Sequence, residues 1–324
     1  MGHAPAAPGQ AGESDAADEA EFPTGVDGVG NLDTVERARA RLEERERELL
    51  ERIGARIASR KFELPQLPAT ALSVMEMAAR TETDIDTIVE TIAADPTLSG
   101  EFLRVANSVL FAGAVPTETL QAAVVRLGRR TIRSVTLSIS MRGAIMKNKA
   151  LVHYAEEVWR QSYSVAVLAR VVSVRIGIEP EHGFLLGLMH DVGKVSLLSD
   201  LGKELQKSTD LSAALVGRVF AQFHELAGEA MARSWGLSDE VVSVAGQHHQ
   251  FDRNLEHRRS AAMVCLAHKM DLFLSMGAES NFHALWRSPE MEALGLSEEE
   301  CHQLLRDGIT AFRDVGSPAS AAAA

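Results

Sequence analysis

Apolar residues recur at helical spacing along nearly the whole chain. From Tyr154 to Ile176, the positions Val158, Ser162, Val165, Ala169, Val172 and Ile176 follow one another at intervals of four and three. That spacing puts them on one face of an α-helix, the face that packs into a core. The same period continues from Asp33 to Phe312, and no stretch shows the two-residue alternation of a half-buried strand. An all-α fold is therefore predicted. Hydrophobic residues make up 46% of the 324 positions and charged residues 24%, enough apolar material for a real core.

The punctuation of this pattern divides the chain. Residues 1–30 hold Ala, Gly, Pro and acids with few large apolar side chains, and are expected to form a disordered acidic tail. Residues 31–60 read as one amphipathic helix, with Glu43–Arg47 and Glu48–Arg52 in the favourable order for i,i+4 pairing. Val35, Leu42 and Leu49 repeat every seven residues and lead into Leu50, Ile53 and Ile57. This stripe suits a homodimer through the helix or packing on the following domain. Residues 61–313 form the main helical body, split into 61–148 and 149–313, before a flexible tail at 314–324. Within the first half, Asp95-Pro96 caps a helix, Asn107 is placed to satisfy loop backbone, and Gly128 stops one helix before another begins near Arg129.

The charge balance narrows the partners. A net charge of −12 disfavours global nucleic-acid binding. Cys265 and Cys301 are the only cysteines and form no C-x-x-C, as expected of a reducing cytoplasm. No segment resembles a signal peptide or is apolar enough to insert into a membrane. Arg126, Arg129, Arg130 and Arg133 lie close together, and form either a basic face for a phosphate-bearing ligand or a solvated, ion-paired surface.

One stretch concentrates chemistry. The apolar run Phe184-Leu185-Leu186-Gly187-Leu188-Met189 ends in His190-Asp191, followed by Gly193 and Lys194. Adjacent imidazole and carboxylate are good divalent-metal ligands, and Lys194 beside them can meet a phosphate. A hydrogen-bonded core pair is the alternative. Gly193 is expected to take a positive φ and end the helix. Further on, His224 stands one turn before Gly228, His248-His249 closes another helix, and His268 lies in the middle of a third.

The motifs Leu64-Pro-x-Leu-Pro, Asp95-Pro-x-Leu, Leu103-x-x-Ala-Asn107-Ser108, Ala122-x4-Leu127-Gly128, Trp159-x-x-Ser162 and Gly187-Leu-Met-His190-Asp191-x-Gly193-Lys194 occur in this order. Together they resemble the HDOD domain, a relative of HD phosphohydrolases and HD-GYP cyclic-di-GMP phosphodiesterases, over about residues 62–310. The resemblance implies a helical N-terminal half packed on an HD-like half. In active HD enzymes a first histidine, the His-Asp pair and a late aspartate hold one metal; the matching positions here are Gln161 and His268. The second-metal ligands correspond to Asp191, His224 and His248 or His249, and no Gly-Tyr-Pro signature is found. The implied function is a non-catalytic regulatory module that contacts signalling proteins, with a degenerate metal site. The alternatives are a metal-dependent phosphohydrolase, with Asp191 and Lys194 as its catalytic groups, and a cyclic-dinucleotide receptor without cleavage.

Overall fold

The computed structural model describes residues 28–62, 64–108, 111, 113, 115–146, 149–205, 212–277 and 281–315. Residues 1–27 of the tail expected over 1–30, and residues 316–324 of the tail expected over 314–324, lie outside the described residues, whereas 28–30 begin a helix and 314–315 end one. Among those described there is no strand, as the periodicity requires. The α-helices are α1 (Gly28–Ala58), α2 (Ala69–Ala79), α3 (Ile85–Ala93), α4 (Pro96–Ala106), α5 (Leu120–Ile145), α6 (Val152–Ile176), α7 (Pro180–Met189), α8 (Gly193–Leu205), α9 (Ala213–Ser234), α10 (Asp239–Gln247), α11 (Arg258–Met276), α12 (Phe282–Trp286), α13 (Pro289–Leu294) and α14 (Glu298–Val315). None of the described helices is long and apolar enough to cross a membrane.

The chain divides into two units, residues 1–48 and 49–324. The first contributes the beginning of α1, where Arg39 pairs with Glu43 at 3.0 Å and Arg47 with Glu44 at 2.5 Å. The side chains of Val35 and Leu42, on which the heptad reading rests, lie outside the described residues.

The larger unit has two hydrophobic cores. Val74, Ile88, Ile92, Phe102, Val124, Leu127, Ile132 and Val135 belong to the first, drawn from α2 to α5. The second gathers Ile53 and Ile57 from the end of α1 with the apolar faces of α6 to α11. Leu137, Met141 and Ile145 of α5 also belong to the second, so one helix serves both. At Gly128 α5 kinks, with φ 71° and ψ 163°, a conformation that costs a residue with a Cβ.

Local chemistry sets the entries. Asp95 accepts from the Thr97 and Leu98 amides at 2.9 and 3.0 Å, and Pro96 occupies the first turn of α4. Asn107 donates to the Thr117 carbonyl at 2.8 Å and accepts from the Thr117 amide at 2.7 Å, which closes the loop before α5. These roles match the sequence reading.

Candidate metal centre

The site is assembled by glycines that let helices touch. A Cβ on Gly187 would lie 2.7 Å from the Val165 carbonyl oxygen, so α7 presses directly onto α6. This brings His190, the residue after α7, toward Gln161 on α6. Gly193 has no positive φ and ends no helix: it begins α8. Its requirement is steric, since a Cβ there would lie 2.0 Å from the His224 carbonyl oxygen and 2.4 Å from the Gly228 nitrogen. Gly228 serves α10 in the same way, with its would-be Cβ 2.9 Å from the Ala245 carbonyl oxygen. His224 and His248 are thereby carried to Asp191.

Four helices and one short 3₁₀ turn, His248–Gln250, converge there. Asp191, 1% exposed, has Oδ2 3.1 Å from His190 Nε2 and accepts at 2.6 Å from Lys194 Nζ. Its other oxygen, Oδ1, lies 3.6 Å from His224 Nε2 and 3.9 Å from His248 Nε2. His190 Nδ1 is 2.7 Å from the Gly187 carbonyl and His224 Nδ1 2.6 Å from the Phe220 carbonyl. Each Nδ1 therefore carries a proton and donates it to that carbonyl, which turns each Nε2 toward the centre. Among the described residues, those two Nε2 atoms, both nitrogens of His248 and Asp191 Oδ1 are buried without a hydrogen-bond partner. Buried polar atoms are seldom left so, and this set suits a cation.

Two overlapping triples have ligand atoms within 4.8 Å of one another: His224, His248 and His249, and His190, His248 and His268. His248 is fully buried, whereas His249 is exposed with its ring centroid 4.2 Å away. The second triple is compromised by a hydrogen bond. Gln161 Nε2 lies 3.1 Å from His268 Nε2, and Gln161 Oε1 accepts from Lys194 at 3.0 Å. Asp191, Lys194, Gln161 and His268 thus form one polar chain across α6, α8 and α11.

Burial and neighbouring groups set the charges. Burial pushes the Asp191 carboxyl up, but His190 and Lys194 outweigh it and hold it well below the usual carboxylate range. Burial lowers His248 far below its ordinary value and lowers His224 as well. His268 falls to about 3, through burial and then His190. These three imidazoles are neutral at physiological pH, the state that binds metals.

Some of this surrounding was not foreseen. Glu225 accepts from the His249 amide at 3.0 Å and lies 3.9 Å from His248 Nδ1. Ser164 donates to Asp271 one turn beyond the Gln161–His268 pair. In sequence, Glu225 and Asp271 resemble any other helical acid, and only the Glu225 position beside His224 hinted at a role.

The arginines behave differently. Arg126 donates to the Val115 carbonyl at 2.6 Å, and Arg129 to the carbonyls of Arg80, at 3.0 Å, and Thr83. Arg130 faces Glu179 at 3.8 Å, and Arg133 is half-buried. The kink at Gly128 interrupts the i+3 and i+4 register between Arg126 and the other three. Arg126 and Arg129 are therefore occupied in tying loops to α5.

An all-helical body with a His-Asp pair at the junction of α7 and α8 defines an HD-related protein. The HDOD domain model matches residues 64–251, and the chain belongs to that family. An uncharacterized protein of Treponema pallidum (strain Nichols) is 25% identical over 215 residues, which cover 64% of this chain and 40% of that relative. The chain thus spans about two fifths of the length of that relative. Solved structures share the fold. A candidate metal-dependent phosphohydrolase from Shewanella amazonensis SB2B superposes with TM-score 0.64 at 21% identity, covering 81% of this chain and 99% of that one. An HDOD domain protein of unknown function from Geobacter sulfurreducens gives 0.64 at 22%, covering 82% and 96%. A candidate signal transduction protein from Marinobacter aquaeolei VT8 gives 0.56 at 19%, covering 85% and 66%.

Proposed function

We propose that this chain is a regulatory module of a signalling system, acting through contacts with other proteins and not by turnover. The observation that carries this reading is the hydrogen bond between Gln161 Nε2 and His268 Nε2, at 3.1 Å. Two-metal hydrolysis needs both ions to clamp the attacking and leaving oxygens. At the position of one ion's histidine stands an amide, a poor donor, and at that of its carboxylate an imidazole, and these two side chains engage each other. The other half is better equipped. His224, His248, His249 and Asp191 would hold a divalent ion, and an ion there supplies a polarised water. That half supports the second reading, a metal-dependent phosphohydrolase acting on nucleotides or cyclic dinucleotides.

The test is an assay of the full chain against cyclic dinucleotides and nucleoside phosphates with Mn²⁺, Mg²⁺ or Zn²⁺. No turnover is expected from the unaltered protein. Gln161→His combined with His268→Asp restores the ligand types, so any gain of activity should appear in that double variant. Metal-dependent turnover by the unaltered protein, abolished by Asp191→Ala, would establish the phosphohydrolase instead.

A further inference from the structure

We propose that Lys194 is a cation built into the chain: its ammonium takes the place of one metal ion beside Asp191, and the site accepts at most one divalent ion. The inference rests on the reading that Gln161 and His268 are not metal ligands, and it concerns ion number rather than turnover.

Three observations carry it. First, the two oxygens of Asp191 are used differently. Oδ2 receives the Lys194 ammonium at 2.6 Å, while Oδ1 is buried without a hydrogen-bond partner and faces His224 and His248. A carboxylate bridging two ions would offer one oxygen to each, whereas here one of them is committed to an ammonium. Second, Gln161 fits this cation at both ends. Its carbonyl oxygen accepts from Lys194 at 3.0 Å, and its amide nitrogen meets His268 Nε2 at 3.1 Å. The amide offers an acceptor to the ammonium from its oxygen and a donor to a neutral imidazole from its nitrogen at once. The departures from the HD pattern at positions 161 and 268 therefore suit each other and the ammonium together. Third, the two possible triples share His248. In the triple that also uses His268, the Nε2 of His268 is bonded to Gln161. What remains open is the side of Oδ1, with His224, His248 and His249. The ammonium is enclosed, with the side chain 14% exposed and Nζ 5.9 Å from the Phe220 ring centroid. An enclosed ammonium of this kind offsets a carboxylate that would otherwise be buried alone.

The experiment uses the full chain. Mn²⁺ bound per chain is counted by metal analysis after gel filtration and by titration calorimetry, and melting temperature is followed in EDTA and in Mn²⁺. The unaltered protein should bind no more than one Mn²⁺. Lys194→Met should melt several degrees lower in EDTA and show a larger rise on adding Mn²⁺ than the unaltered protein does. Two Mn²⁺ per unaltered chain would overturn the proposal whatever the variants do. So would Lys194→Met melting like the unaltered protein in EDTA, or an unchanged response to Mn²⁺. If Lys194→Met does not fold, Asp191→Asn with Lys194→Met decides. Without the carboxylate the ammonium is not needed, so the pair should fold and melt above the single variant; no recovery overturns the proposal. Turnover by the unaltered protein with one ion bound would defeat the non-hydrolytic reading and leave this one standing.

Discussion

A methyl group at position 193 would intrude on the backbone of α9, 2.0 Å from the His224 carbonyl oxygen. No side-chain rotation relieves a clash with backbone, so Gly193→Ala is expected to cost about 3 kcal/mol, the upper part of the overpacking range. Thermal unfolding of the variant checks this, and a melting temperature equal to the parent's would refute it. A second residue-scale expectation concerns His182 and Glu240, paired at 2.9 Å. The hydrogen bond that His182 donates to Glu240 raises His182 above its ordinary 6.5, and the same bond lowers Glu240 from 4.5 to about 2. The His182 contribution is complete below pH 6.5 and fades as pH rises through its raised value. The Glu240 contribution is complete above pH 4.5 and fades as pH falls toward about 2. The pair therefore stabilises most between those limits, by no more than about 1 kcal/mol given its partial exposure. Glu240→Gln should return the His182 ring signal in an NMR titration toward its ordinary midpoint. Gly193 also marks where reading the sequence stopped short. Glycine is required both for a positive φ and for close helix contact, and the letter alone does not tell these apart. The contact partners, His224 and Gly228, lie some thirty residues further along the chain.

At the scale of elements, helices with a strong one-sided stripe were legible, and α6 begins and ends within two residues of the expected Tyr154–Ile176. Helix α8 was not separated from the His-Asp stretch, because its buried residues, Val195, Ser196, Leu197, Leu198, Asp200, Leu201 and Glu204 among them, surround the axis. Such a helix has no polar face to give a period. The short helices α12 and α13 give too few turns to show one. The end of α1 carries the element-scale prediction. Ile53 and Ile57 are 0% and 1% exposed, and Arg56 reaches two buried carboxylates on α8, Asp200 at 3.4 Å and Glu204 at 3.2 Å. Ile53→Ala should cost about 2–5 kcal/mol. Arg56→Ala should cost about 1–3 kcal/mol by withdrawing a charged partner from those acids. Chemical denaturation of both variants measures this. If neither midpoint moves, the last turns of α1 are not part of the folded body.

At the scale of the whole molecule, the family was legible because its motifs are the residues that shape backbone: caps, helix stops and contact glycines. They survive in order although solved structures of the same fold share only about a fifth of their residues with this chain. A meeting of His190, Asp191 and His224 with one of His248 and His249 is expected from the sequence, which does not tell which of those two it is. The polar chain through Lys194 and Gln161 is not expected, since it depends on where side chains thirty-three residues apart meet. Helix α5 places Ile132 and Val135 in one core and Leu137, Met141 and Ile145 in the other, without a linker between them. A gene cut at the boundary near residue 148 would strand those last three side chains in water and leave the HD-like fragment with a missing wall. The two halves therefore cannot be traded separately between proteins, by recombination or by design. Any rearrangement that keeps a foldable product must move α5 together with both of its cores.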